Sequence, residues 1–177
     1  MLDKLKIALV LVVIGALSGI IIYGVNYWTE DDIKTNKIAR EQGFYKDLFN
    51  IEETEITTAS EPVLLNVNGL DEELIMFDNN DNILGYIYKA TLKNNYGEVT
   101  VLVGITTDGV VSNAVIANTT NTPTFVQTIT SKYIGNFSNQ DVEDIQIDSK
   151  TGATYTYTSV VDVVTSATSY YIESRGE

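Results

Sequence analysis

The chain has 177 residues, 44% of them apolar and 20% charged, with 11 Lys and Arg against 24 Asp and Glu and neither His nor Cys. Without thiol or imidazole there is no disulfide framework, zinc finger, Cys nucleophile or Ser-His-Asp triad. A formal charge of −13 argues against a nucleic-acid partner, because binding a polyanion requires Lys and Arg to replace its counterions. The apolar content is too high for disorder, and the length suits one folded domain plus a smaller element.

The smaller element comes first. Residues 7–29 carry no charge, and residues 7–23 (IALVLVVIGALSGIIIY) are almost wholly apolar. Such a stretch forms a helix of about 20 residues that crosses ~30 Å of hydrocarbon. Lys4 and Lys6 precede it and Glu30, Asp31 and Asp32 follow, so the positive-inside rule places the N-terminus in the cytoplasm and the rest of the chain outside. A cleaved signal peptide ending near Ala16-Leu17-Ser18 is the alternative. The apolar run continues past that point and ends in Tyr27-Trp28, an interfacial pair, which favours an uncleaved anchor.

Residues 30–49 are charged and helix-compatible, with Ile33, Lys37, Ala39 and Phe44 forming a weak stripe, and read as a stalk or entering helix. Residues 51–69 have no clear period and read as connector with one strand at most. From Leu70 the pattern sharpens: Leu74 to Phe77, a polar turn Asn79-Asn80-Asp81-Asn82, then a strand in which Leu84, Tyr86, Tyr88, Ala90 and Leu92 share one face. Val99, Val101, Val103 and Ile105 alternate with polar or small residues, and Thr107-Asp108-Gly109 turns the chain into residues 110–117. The result is an antiparallel meander of about four strands whose apolar face needs a cover.

Two helices are expected to supply it. Thr122 reads as an N-cap and Pro123 as a first helical residue, with Phe125, Ile129 and Tyr133 at intervals of four until Gly135. Val160, Val164, Ala167 and Tyr171 form the stripe of a second helix, although its many Val and Thr residues favour strand by propensity. Just before it lies Asp148-Ser149-Lys150-Thr151-Gly152-Ala153-Thr154. Gly152 admits a ligand close to the backbone, Ala153 adds little bulk, and a helix N-terminus with its unpaired N–H groups holds phosphate even in an acidic protein. On spacing alone, an ordinary turn and N-cap is the favoured account of the segment, because Thr- and Gly-rich turns are common.

The heptad fits the D-x-x-[S/T]-G-A-T pattern of the FMN-binding domain family and most resembles the G subunit of the Rnf ion-translocating electron-transport complex, related to the C subunit of the sodium-translocating NADH:quinone reductase. Leu84-Gly85-Tyr86, Asn95-Tyr96-Gly97, Val103-Gly104-Ile105 with Asp108-Gly109, Thr122-Pro123 and Thr158-Ser159-Val160-Val161 follow in the family's order. The resemblance implies FMN esterified through its phosphate to Thr154 by a flavin transferase, with Asp148, Thr151, Gly152 and Ala153 forming the rest of the site. It also implies membrane subunits of an Rnf-like complex as partners. Where the family reads Glu-Thr-Pro-Gly-Leu-Gly, this chain reads Asn121-Thr122-Pro123-Thr124-Phe125-Val126. The acidic residue and both glycines are missing, so ring position and potential do not carry over, and Thr122 is a candidate contact only.

The expected organisation is α+β: a transmembrane anchor at 1–29, a stalk or connector at 30–69, one extracytoplasmic FMN-binding domain at 70–172 with an antiparallel sheet covered by helices, and a tail at 173–177. No catalytic side chain is identified; a flavin moves electrons while the protein orients it. Two other functions fit the sequence: a free-standing anchored flavoprotein for extracellular electron transfer, and a flavin-free scaffolding module. The acidic and amide clusters at residues 71–73 and 79–82 lack a calcium-loop pattern and read as solvated turns.

Overall fold

The computed structural model describes residues 2–51, 57–147 and 154–175. The chain divides into two compact units, Met1–Arg40 and Glu41–Glu177. Helix α1 (Leu2–Phe49) opens the chain. Within its first part, Lys6–Glu30 is a 25-residue stretch apolar enough to cross a membrane, and no part of it is buried. At 1.5 Å per residue it is about 37 Å long, more than the hydrocarbon thickness requires. Tyr23 and Tyr27, four residues apart, stack with ring centroids 6.3 Å apart near its end.

The second unit is an antiparallel sheet with helices, so the fold is α+β. Its strands are β1 (Thr58–Ala59), β2 (Val63–Val67), β3 (Leu70–Phe77), β4 (Ile83–Asn94), β5 (Gly97–Thr106), β6 (Val110–Thr119) and β7 (Gln140–Asp141). Among the described residues the sheet order is β1-β3-β4-β5-β6-β7, with β2 also paired to β3. The expected four-strand meander is its centre, β3 to β6, all antiparallel. The segment read as connector holds two short strands, β1 and β2, which share the β3 edge. Their shortness and their Glu, Thr and Asn neighbours hid the period-2 signal.

Helices α2 (Pro123–Lys132) and α3 (Thr154–Arg175) both form. The strand propensity of α3's Val and Thr residues is overridden because Val160, Val163, Val164, Ala167 and Tyr171 bury one helical face against the sheet. Thr122 precedes α2 as expected but makes no side-chain capping hydrogen bond; its backbone carbonyl accepts from the amides of Phe125 and Val126 at 3.0 and 3.3 Å. Gly135 does not stop the helix, which ends at Lys132, and lies instead in a 3₁₀ turn, Ile134–Phe137.

The sheet has a core on each face. Val99, Val101, Val103 and Ile105 of β5 point with Tyr88 and Ala90 into the core beneath α3. Leu102 points the other way, into a second cluster with Leu74, Met76, Ile87 and Leu48. This second face is covered by Phe44, Tyr45, Leu48 and Phe49, the end of α1. Burial there, and next Glu41 and Glu72, push the Tyr45 hydroxyl up to about 12. Leu84 departs from the expected face and packs on this second cluster. The β3–β4 register shifts there, Met76 pairing Gly85 and Phe77 pairing Ile83. Leu84 is the extra, bulged residue, and a one-residue bulge turns a side chain to the other face.

Gly85 is required for this packing: a Cβ there would lie 2.4 Å from the Ile105 carbonyl oxygen and 2.6 Å from Phe49 Cε1. Gly85→Ala is therefore expected to destabilise the domain by about 1–3 kcal/mol, the range for overpacking, read as a lowered urea midpoint with unchanged slope.

The β3–β4 turn is closed by Asp78, whose carboxylate accepts from the amides of Asn80 and Asn82 at 2.7 and 2.9 Å and from the Asn82 side chain at 2.9 Å. The Asn82 side-chain bond and these backbone bonds hold its pKa below the ordinary carboxyl value. A folded-state pKa lower than the unfolded one stabilises above the unfolded pKa and is lost as pH falls through the folded pKa. In Asp78→Ala the midpoint temperature should therefore fall at neutral pH, with the gap from wild type closing as the solution is acidified past the ordinary carboxyl range.

Candidate functional site

Thr154 is the first residue of α3 and its side chain is exposed. Asp148, Thr151, Gly152 and Ala153, the other expected site residues, lie outside the described residues. The hydroxyls of the first turns of α3 divide by side: Thr154 and Thr158 are exposed, whereas Thr156 and Ser159 are buried. The division follows the helical repeat of 3.6 residues, since Thr156 and Ser159, three apart, share the face toward the sheet.

The buried pair is gripped by two asparagines. Asn121, 4% exposed, donates from Nδ2 to Thr156 Oγ1 at 2.9 Å and to Asn94 Oδ1 at 3.2 Å. Asn94, the last residue of β4, donates to Ser159 Oγ at 3.0 Å and accepts from the Tyr96 amide at 2.9 Å. The β4–β5 turn, the segment after β6 and the first turn of α3 are thereby tied together by uncharged groups. Asn121 Oδ1 is buried and has no hydrogen-bond partner among the described residues.

The approach of these segments depends on Gly97. Its φ is +137°, and a Cβ there would lie 2.2 Å from Thr120 Oγ1 and 3.2 Å from Asn121 Oδ1. Thr120 is fastened to the same turn, accepting from the Glu98 amide through Oγ1 at 2.8 Å, while its own amide donates to the Glu98 carbonyl at 2.9 Å.

Beside this polar clasp stands an aromatic group. Tyr96 meets Phe125 of α2 and Tyr155 of α3, with centroids 5.5 Å apart in both cases. Tyr96 and Tyr155 are both 48% exposed, so their rings offer apolar surface at the start of α3. Asn121 also lines an open cleft of about 420 Å³ with Thr119, Pro123, Val126, Gln127, Thr130 and Ser131. Every lining residue is uncharged, in a chain of net charge −13, and the volume lies in the range of small-molecule sites.

These residues suit the flavin that the resemblance implies. An exposed hydroxyl at a helix start matches a phosphate, because the first N–H groups and the helix dipole both favour an anion there. The exposed tyrosines and the neutral cleft suit a flat heteroaromatic ring whose polar edge carries amide-like groups. Thr122 is exposed but belongs to the outside of this arrangement, and the neighbouring Asn121 is the residue built into it. Sequence reasoning does not single out Asn94 or Tyr155, and it names Tyr96 only within the Asn95-Tyr96-Gly97 turn. Their roles arise from contacts between residues up to 65 positions apart, and the sequence signals were that turn and Asn121 in the place of an acidic residue.

The far end of α3 is also held. Arg175 pairs with Glu73 of β3, donates to the Tyr88 hydroxyl at 3.1 Å and lies 3.8 Å over the Tyr86 ring. The helix that carries Thr154 is thus fixed at both ends.

No curated protein gives a significant match to the chain. Residues 95–169 match the model of the FMN-binding domain family, a stretch that contains Tyr96, Asn121, Thr154, Tyr155 and Thr156, and the match supports FMN as the cofactor and a flavin-binding role in electron transfer.

Proposed function

We propose that this protein is a membrane-anchored electron-transfer subunit that carries FMN covalently through Thr154 and works in an Rnf-like ion-translocating oxidoreductase complex. The observation that carries this reading is the placement of Thr154: an exposed residue at the start of α3, followed by the half-exposed Tyr155 and, two residues on, by Thr156, which binds Asn121 of the neutral cleft, all within the FMN-binding match. When bound, FMN supplies one- and two-electron transfer. The chain's own part is to tether, orient and partly cover it. Thr154 would hold the phosphate, with Asp148, Thr151, Gly152 and Ala153 completing the attachment segment, and Tyr96, Phe125 and Tyr155 would supply apolar surface.

Attachment needs an external enzyme. A threonine hydroxyl is unreactive at its ordinary pKa, and the chain has neither His nor Cys to act as its base. A flavin transferase would join the Thr154 oxygen to the FMN phosphorus of FAD as the pyrophosphate bond breaks; AMP leaves and the hydroxyl proton is released. A tether also answers a charge problem, since a chain of net charge −13 attracts a free anionic nucleotide poorly.

Ion movement would belong to partners. The one candidate span among the described residues carries no charge between residues 7 and 29, and an ion path through a membrane requires polar or ionisable groups facing a water-filled interior. Lys4 and Lys6 orient the anchor with its N-terminus cytoplasmic and the flavin domain outside. Purification of the chain from its native membrane in mild detergent tests complex membership. Multi-helix membrane subunits should co-elute in fixed ratio, and a chain that elutes alone with its flavin would establish the free-standing flavoprotein instead.

A further inference from the structure

We propose that Asn121 is the positioning residue for Thr154: its buried amide holds the first turn of α3 in the one orientation that displays the Thr154 hydroxyl to an incoming flavin phosphate. The inference rests on covalent attachment at Thr154.

A helix frays at its first turn, where N–H groups lack intrahelical partners. The buried hydrophobic anchors of α3 begin with Tyr157 and Val160, and before them the half-exposed Tyr155 ring packs on Tyr96, so a polar contact at Thr156 is needed to fix the inward face of the first turn. Asn121 does this from 35 positions away, spending one amide hydrogen on Thr156 and the other on Asn94, which in turn holds Ser159. Two residues of an α-helix are separated by about 200° of rotation. Fixing Thr156 inward therefore turns Thr154 outward, where it is exposed.

The arrangement is costly for a purely structural contact. Three polar side chains, Asn121, Thr156 and Ser159, are withdrawn from water with Asn94 half-buried beside them, and Asn121 Oδ1 is left buried with no hydrogen-bond partner among the described residues. An apolar residue would close the same space without that penalty. What the amides add is direction, because two donors on one planar group fix both the β4–β5 turn and the helix start relative to it. The asparagine is neutral, so the clasp adds no negative charge where a phosphate must arrive.

The test uses the full chain in detergent with FAD and a flavin transferase, following attachment by in-gel fluorescence and intact mass. The variants are Asn121→Ala, Thr156→Val, Thr156→Ser and, as a stability control in β5 that makes none of the clasp's hydrogen bonds, Val101→Ala, which truncates a fully buried side chain. In Asn121→Ala and Thr156→Val the initial rate of attachment should fall about tenfold or more, the scale of one lost buried hydrogen bond. Thr156→Ser, which returns the hydroxyl, should recover most of the rate lost in Thr156→Val. Val101→Ala should lose thermal stability and keep the wild-type rate. Hydrogen exchange of the amides of residues 155–159 should accelerate in Asn121→Ala and not in Val101→Ala.

Equal rates in wild type, Asn121→Ala and Thr156→Val overturn the proposal while leaving Thr154 attachment intact, as does a rate that follows stability across all variants. If Asn121→Ala does not fold, the Thr156→Val and Thr156→Ser pair decides the matter. A wild-type chain that takes no flavin overturns the attachment reading itself, and the positioning role with it.

Discussion

Thr154→Ala is expected to yield a folded chain that carries no covalent flavin. The ester needs an oxygen, and alanine has none, so the effect is all-or-none and not a graded loss of affinity. The side chain is exposed at the start of α3, so its truncation leaves no cavity in the core. Co-expression with a flavin transferase followed by denaturing electrophoresis separates the outcomes, because only an esterified flavin fluoresces in the unfolded band. Thr158 provides the control. It is also exposed, four residues and about 6 Å further along the helix, outside the attachment heptad, and Thr158→Ala should retain the fluorescent band. A fluorescent Thr154→Ala band would move the ester to another residue, and a dark wild-type band would remove the covalent reading.

Leu48→Ala should destabilise the sheet domain by about 2–5 kcal/mol, the cost of a large-to-small change in a core. Leu48 is fully buried, in one cluster with Leu74, Met76, Ile87 and Leu102. Its surroundings have little freedom to collapse: a Cβ on Gly104 would lie 3.1 Å from Leu48 Cβ, so the helix end already sits against the sheet backbone. Against a total stability of about 5–15 kcal/mol, such a loss lowers the thermal midpoint markedly. It is measured by thermal unfolding of the full chain in detergent. If residues 30–49 acted only as a solvated stalk, the same substitution would cost almost nothing.

That contrast marks where the sequence was readable. A helix stripe shows in sequence when the buried face extends over several turns, as in α3, where Val160, Val164, Ala167 and Tyr171 recur at helical spacing. The end of α1 buries only Phe44, Tyr45, Leu48 and Phe49, little more than one turn, and the charged run before it dilutes the pattern. The central strands were legible because β4 and β5 alternate regularly. Leu84 was misplaced because a bulge is a property of the pairing between two strands and leaves no mark in one of them.

The site divides in the same way. The heptad proposed for attachment is contiguous, so its expectation came from residue type and order without any fold. The clasp of Asn94, Asn121, Thr156 and Ser159 is assembled from a strand end, a loop and a helix start, and no local pattern distinguishes those asparagines from others in turns. From the amino-acid order alone came the apolar span, the meander, both later helices and the threonine at the head of α3. These follow from periodicity and backbone preference, which act over a few neighbouring residues. The second cover of the sheet, the bulge and the amide clasp were decided only in three dimensions, because burial and hydrogen-bond satisfaction depend on which distant groups meet once water is excluded.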